Sequence, residues 1–153
     1  MISKIINIGK IVTWDNVSND LLVHNKSCLE IIIENNEIIE VGENLEDYKA
    51  EKIIDAKNGL ITPGFIDCHT HPIFFGNRSH EFKLRSRGAS YQDIAKTGGG
   101  IKYSIKKLRE ASKEQIFEES LARINLFLKK GTTTIEAKSG YGLTLNDEIK
   151  SLE

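Results

Sequence analysis

One sharply bounded helix set between two β-branched stretches limits what this chain can fold into more than any other feature. Ser112 opens the helix as an N-cap, and Gln115 three residues later completes a capping box that satisfies the first free backbone amides. Phe117, Leu121, Ile124 and Leu128 recur at helical spacing, with Ile116 and Phe127 widening the apolar face. Gly131 closes the helix, because glycine takes the left-handed backbone of a C-terminal cap without a Cβ clash. The run Thr132-Thr133-Thr134-Ile135-Glu136-Ala137 follows at once and reads as a strand. Upstream, Phe65-Ile66-Asp67-Cys68-His69-Thr70-His71 reads as another short, mostly buried strand. After the second strand, Ser139-Gly140-Tyr141-Gly142 is a loop, and Thr144 caps a further helix with Asp147 and Glu148 in its first turn. A strand that leaves through a helix re-enters its sheet in the same direction, so this order predicts parallel strands. Two such strands cannot close a barrel, and the array is expected to continue beyond Glu153.

Residues 1–60 follow a different pattern. They are rich in Ile and Val, and turn residues break them into short runs. Residues 28–34 and 37–42 predict a β-hairpin around Asn35-Asn36, and residues 4–14 and 52–56 predict further strands. A sheet of this size needs a second layer to bury its apolar face. The expected organisation is a partial β-sandwich over 1–60 and a barrel portion over 61–153. Between them, Gly59 to Gly64 reads as a turn-bearing junction. Residues 72–100 read as a long connection with one short helix at 91–96 and an obligatory loop at Gly98-Gly99-Gly100.

Composition narrows the class. Hydrophobic residues make up 39% and charged residues 28% of the 153, which suits a globular chain and argues against disorder. A net charge of -1 offers no bulk attraction to nucleic acid or to an anionic membrane. The sequence has no apolar run long enough for a bilayer and no convincing signal peptide at its start. Cys28 and Cys68 lack any spacing pattern, so a reducing, cytoplasmic setting is expected.

The chemistry centres on His69-Thr70-His71. Side chains alternate along a strand, so both imidazoles project from one face, with Asp67 and Phe65 sharing that parity. Two neutral imidazoles at a strand tip can hold one Zn²⁺ or similar ion, yet they supply only half of a four-ligand set. Cys68 alternates to the opposite face and reads as a small core residue, not a nucleophile. His24 and His80 read as structural and solvent-exposed, respectively. Glu136 shares strand parity with Lys138 and can pair with it.

The pair stands inside the stretch Thr62-Pro63-Gly64-Phe65-Ile66-Asp67-Cys68-His69-Thr70-His71, which resembles the metal-binding first strand of the amidohydrolase superfamily. Further along come Gly76-Asn77-Arg78-Ser79-His80-Glu81-Phe82, Arg87-Gly88-Ala89-Ser90-Tyr91, the triple glycine, Gly131-Thr132-Thr133-Thr134 and Lys138-Ser139-Gly140-Tyr141-Gly142-Leu143. In this order the series resembles the imidazolonepropionase family, densest over 63–143. The resemblance implies an α/β fold: part of a β-sandwich followed by the first βαβα units of an incomplete (β/α)8 TIM barrel. It implies one bound metal ion, Zn²⁺ or Fe, with His69 and His71 among its ligands. It also implies that Arg78 holds a substrate carboxylate through its guanidinium fork and that Tyr141 contacts the substrate. Read without the resemblance, Arg78 is a surface cation beside Glu81, and Tyr141 packs on a loop.

The implied reaction is metal-dependent hydrolysis of the cyclic amide of 4-imidazolone-5-propanoate to N-formimino-L-glutamate, a step of histidine degradation. The family's further metal-binding histidine and aspartate, and its proton-shuttling glutamate, belong to later barrel strands, so this chain alone is expected to be inactive. Two alternatives remain open: another amidohydrolase such as a guanine or aryl deaminase, or a non-catalytic association module. Exposed strand edges and an apolar helix face would favour self-association into a homo-oligomer.

Overall fold

A computed structural model describes all residues from Met1 to Glu153. Its contacts divide the chain into two units, Met1–Pro63 and Gly64–Glu153.

The first unit is one five-stranded sheet made of β1 (Ile2–Asp15), β2 (Asp20–His24), β3 (Leu29–Glu34), β4 (Glu37–Glu43) and β5 (Lys52–Ile61). The long β1 organises it. It runs antiparallel to β3, with Ile2 opposite Glu34 and Ile8 opposite Leu29, then antiparallel to β2 from Ile11 onward, and parallel to β5. Asn7 sits at the register break of β1 with a φ of 54°, and its amide donates to Asp55 at 3.0 Å. A β-bulge of this kind bends a strand and raises its twist. Ile8, Ile11, Leu29 and Ile31 form the core, flanked by Ile5, Ile33, Ala56 and Ile61. Asn35 and Asn36 have φ of 52° and 68°. Two positive φ values at the centre of a two-residue hairpin match the twist of the strands it joins.

Two expectations need adjustment here. The strands lie in a single sheet, so the expected partial sandwich is one layer within this unit. The strand expected at 52–56 runs on to Ile61 through Lys57 and Asn58, both at positive φ. The first residues of the expected junction, Gly59 to Ile61, belong to β5, after a register irregularity between Asp55 and Gly59. The strand β2 was not expected, because its residues are nearly all exposed and show no alternation.

The second unit comprises β6 (Phe65–Thr70), α1 (Ser79–Ser86), α2 (Tyr91–Lys96), α3 (Ile101–Glu110), α4 (Lys113–Lys129), β7 (Thr132–Ala137) and α5 (Leu145–Leu152). As expected, β6 and β7 are parallel, with Phe65 opposite Thr132 and Thr70 opposite Ala137. The expected capping box at Ser112 and the Thr144 cap are formed, and Ser90 forms a further capping box at the start of α2. The connection between the strands is more helical than the sequence suggested: α1 occupies part of it, and α3 starts directly after Gly100. Leu108, Ala111 and Ile116 form the core, with Ile73, Phe75 and Tyr141 against it.

The helix α4 does not bury the stripe that marked it. Ile116 and Ser120 are its buried residues, whereas Phe117 is 65% and Leu128 61% exposed. Cys68 is exposed, not a core residue. The physical reason is the width of the sheet: α4 packs on β7, and two strands offer a narrow face to cover.

Candidate functional site

The site is assembled where the two parallel strands end. The amide of Lys138, just past β7, donates to Thr70 O at 2.9 Å, so the strand tips stay in step. His71 follows one tip, and the loop bearing Tyr141 follows the other. Active sites of parallel α/β sheets gather at this carboxyl end, where loops converge.

The segment after His71 is clamped by α4. Arg123 donates from one guanidinium nitrogen to Pro72 O at 2.9 Å and to Phe74 O at 2.7 Å, and its guanidinium lies 3.5 Å from the centre of the Phe74 ring. Its other nitrogen pairs with Glu119 at 2.5 Å, and the same Glu119 oxygen accepts the Gly76 amide at 3.0 Å. Burial pulls the Arg123 pKa below its ordinary value, although Glu119 opposes the shift. One helix therefore fixes residues 72, 74 and 76, between His71 and Arg78. Neither Arg123 nor Glu119 was singled out from the sequence.

The imidazoles of His69 and His71 approach edge to face, 5.4 Å between ring centres. His71 meets the Tyr141 ring at 6.0 Å, and Tyr141 meets Phe74 at 5.8 Å. Gly140, at φ 147°, passes so close that a Cβ there would lie 3.2 Å from His71 Cε1 and 3.3 Å from Nδ1. His71 Nδ1 is buried and has no hydrogen-bond partner. The loop itself is tied down by Glu148, whose Oε1 accepts the amides of Gly142 at 2.9 Å and Leu143 at 2.7 Å. The Ser139 hydroxyl first, and then those amides, hold the Glu148 carboxyl below its usual pKa. Arg109 adds a bond from Nε to Gly142 O at 2.8 Å.

Arg78 and Tyr141 line one cavity of about 280 Å³, together with Phe74, Phe75, Tyr103 and Ser104. The structure thus draws His71, Tyr141 and Arg78 into one continuous neighbourhood. Arg78 is half-buried. Its Nε and one terminal nitrogen both donate to Glu81 Oε2, at 3.0 and 2.7 Å. The Glu81 pairing weighed from sequence is real, but Glu81 is a buried residue and not a surface one. His80 lies outside the cavity, exposed at the start of α1 and edge-on to Tyr103 at 5.0 Å. Lys138 pairs with Glu136 at 2.6 Å, as their parity suggested.

The imidazole pair fits a metal ion in part. Nitrogen–metal bonds of about 2.0–2.1 Å at a tetrahedral angle place two ring centres roughly 5 Å apart, close to the separation observed. The unpartnered nitrogen of His71 is a free donor of the right type. No cluster of three or more His, Cys, Asp or Glu forms, so the chain offers two ligands and not a full set.

Comparison with known proteins shows what the chain is similar to. The chain is 50% identical over 107 residues to an imidazolonepropionase of Brucella anthropi, a match covering 70% of this chain and 26% of that protein. It is also 50% identical over 128 residues to an imidazolonepropionase of Geobacillus kaustophilus, covering 79% of this chain and 30% of that one. The chain is a homologue of the imidazolonepropionases. The chain spans about a quarter to a third of the length of the imidazolonepropionases it matches. No protein-family profile matches it. Among solved structures, a triazine hydrolase variant superposes with a TM-score of 0.64 at 19% identity, covering 98% of this chain and 32% of that one. A guanine deaminase from C. acetobutylicum superposes with a TM-score of 0.53 at 18% identity over the same shares. These two likenesses concern the fold alone. No helix of the chain is long and apolar enough to cross a membrane.

Proposed function

We propose that this chain carries the first metal-ligand pair and the carboxylate-binding side of an imidazolonepropionase, acting on 4-imidazolone-5-propanoate within an incomplete (β/α)8 barrel. The observation that carries this reading is the convergence of His69, His71, Tyr141 and Arg78 at the carboxyl ends of two parallel strands. His69 and His71 would hold the ion, Zn²⁺ or Fe. When bound, such an ion supplies a water nucleophile active at neutral pH and polarises the ring carbonyl. Arg78 offers the one terminal nitrogen not engaged by Glu81 to the propanoate carboxylate, a charge-assisted contact that orients the ring. Tyr141, edge-on to His71, bounds the space between ion and carboxylate and sets the ring's approach. The clamp from Arg123 and Glu119 keeps the two halves of the site at a fixed separation.

The competing deaminase reading has a fold likeness behind it. Arg78 favours a substrate with a carboxylate, which guanine lacks. With two ligands and no third beside them, the isolated chain is expected to bind Zn²⁺ weakly and to leave 4-imidazolone-5-propanoate intact. Equilibrium dialysis of the chain and its His69→Ala/His71→Ala variant against Zn²⁺ tests the reading. One bound ion, lost in the variant, is the expected result. Equal retention by both proteins contradicts the assignment of the pair.

A further inference from the structure

The buried carboxylate of Glu81 has no role in the site as described so far, and neither does the triple glycine. The two features meet. Glu81 is 1% exposed although it stands in the first turn of α1. An ionised side chain is seldom buried unless every oxygen is satisfied. Its Oε2 accepts both Arg78 bonds, and its Oε1 accepts the amide of Gly100 at 2.8 Å. Gly99 closes over the same oxygen: a Cβ there would lie 3.0 Å from Glu81 Oε1 and 2.9 Å from Ile94 O. Gly100 takes a φ of 70°, and a Cβ there would lie 3.2 Å from the Tyr91 hydroxyl. Both glycines are buried. At Gly99 a side chain would collide with Ile94 and crowd the carboxylate, and at Gly100 the positive φ itself favours glycine. The glycines form a collar that fixes Glu81, and Glu81 in turn fixes two of the three guanidinium nitrogens of Arg78. The Arg78 pKa is raised and that of Glu81 lowered, in each case chiefly by the bond between them. The remaining terminal nitrogen of Arg78 has no partner in the chain, and the residue lines the cavity.

We infer that Glu81 is the positioning residue for Arg78, held by the Gly99-Gly100 collar so that one free edge of the guanidinium is presented to a carboxylate ligand in the cavity. This rests on the proposed role of Arg78 and goes beyond it by assigning who aims the fork. A long arginine left unpaired samples many rotamers, and the ligand would bear the entropy of ordering it. A buried partner removes that freedom beforehand, in the way outer-shell groups orient first-shell ligands.

The test uses two probes on the full chain: 3-(imidazol-4-yl)propanoate and its carboxamide, with binding followed by NMR. The wild type is expected to prefer the acid, and Arg78→Ala to lose that preference. Glu81→Gln is expected to weaken acid binding about tenfold and to leave carboxamide binding unchanged. Glu81→Asp, which keeps the charge on a shorter arm, is expected to recover part of the preference. If the wild type does not distinguish acid from amide, the Arg78 reading itself fails. If it does, and Glu81→Gln binds the acid equally well or more tightly, the positioning role is overturned. Should both Glu81 variants unfold, the Arg78 Nε proton of the wild type decides. A resolved, slowly exchanging signal supports the lock, and rapid exchange with solvent contradicts it.

Discussion

The two units of this chain are held together by different means. Met1–Pro63 relies on backbone pairing: a 14-residue strand takes three partners, and a small aliphatic core lies along it. Gly64–Glu153 has only two paired strands, and its loops are fastened by charged side chains reaching backbone atoms. Arg123 holds two carbonyls, Glu148 two amides and Glu81 one. Lys150 reaches the carbonyls of Leu108, Arg109 and Ala111 at the end of α3, at 3.0, 3.2 and 3.3 Å. Such a cation also complements the negative end of that helix. Charged side chains also fasten turns in the first unit, where Lys4 donates to Leu45 O at 2.9 Å and Glu30 accepts the Leu45 amide at 2.6 Å, so the contrast lies in the extent of backbone pairing and not in the presence of clamps. The residues with chemical potential lie in the second kind of unit.

The largest expected effect is on the cores. Ile32→Ala in the first unit and Leu108→Ala in the second remove fully buried side chains, each at a cost of about 3 kcal/mol. Segment-resolved hydrogen exchange should show each loss confined to its own unit. A Leu108→Ala chain that also loses protection along β1 breaks the division. The clamp comes next. Arg123→Met keeps the apolar stem over Phe74 and removes the bonds to Pro72 and Phe74, for a local loss of about 2 kcal/mol. Faster exchange over 72–76 with β1–β5 unchanged is expected, and uniform exchange would show that the clamp is dispensable. Acid should separate the units more gently. The Glu81 carboxyl is depressed in the folded state. Its contribution is therefore present above the ordinary carboxylate pKa of about 4.3 and lost as pH falls through the folded value. In the first unit, the depressed carboxyls of Asp15 and Asp55 are exposed at turns and bulges. Protection in the second unit should fall first as the pH drops below the ordinary carboxylate range, and loss in the first unit before the second would reverse the comparison.

How much was readable depended on what each residue type advertises. Strand period, the Asn35-Asn36 turn and three helix caps are local rules, and the elements they mark were found with small shifts at their ends. The imidazole pair was also local, because alternation alone puts His69 and His71 on one face. The clamps were hidden, since Arg123 and Glu119 look identical to the mixed charges around them until the 72–76 segment passes beneath. Glu81 was visible as a neighbour of Arg78, three residues on, but nothing short of the fold reveals that Gly99 and Gly100 enclose it. The exposed stripe of α4 misled for a related reason: periodicity marks an apolar face without saying what covers it.

The central claim is that His69 and His71 act together on one ion beside Tyr141. The most direct measurement is the imidazole ¹⁵N spectrum of the chain during a Zn²⁺ titration. The account predicts that the ring nitrogens of His69 and His71 shift at the same stoichiometry, that replacing either abolishes the response of the other, and that His24 and His80 stay still. A titration in which His69 and His71 respond independently, or only His24 and His80 respond, would contradict it.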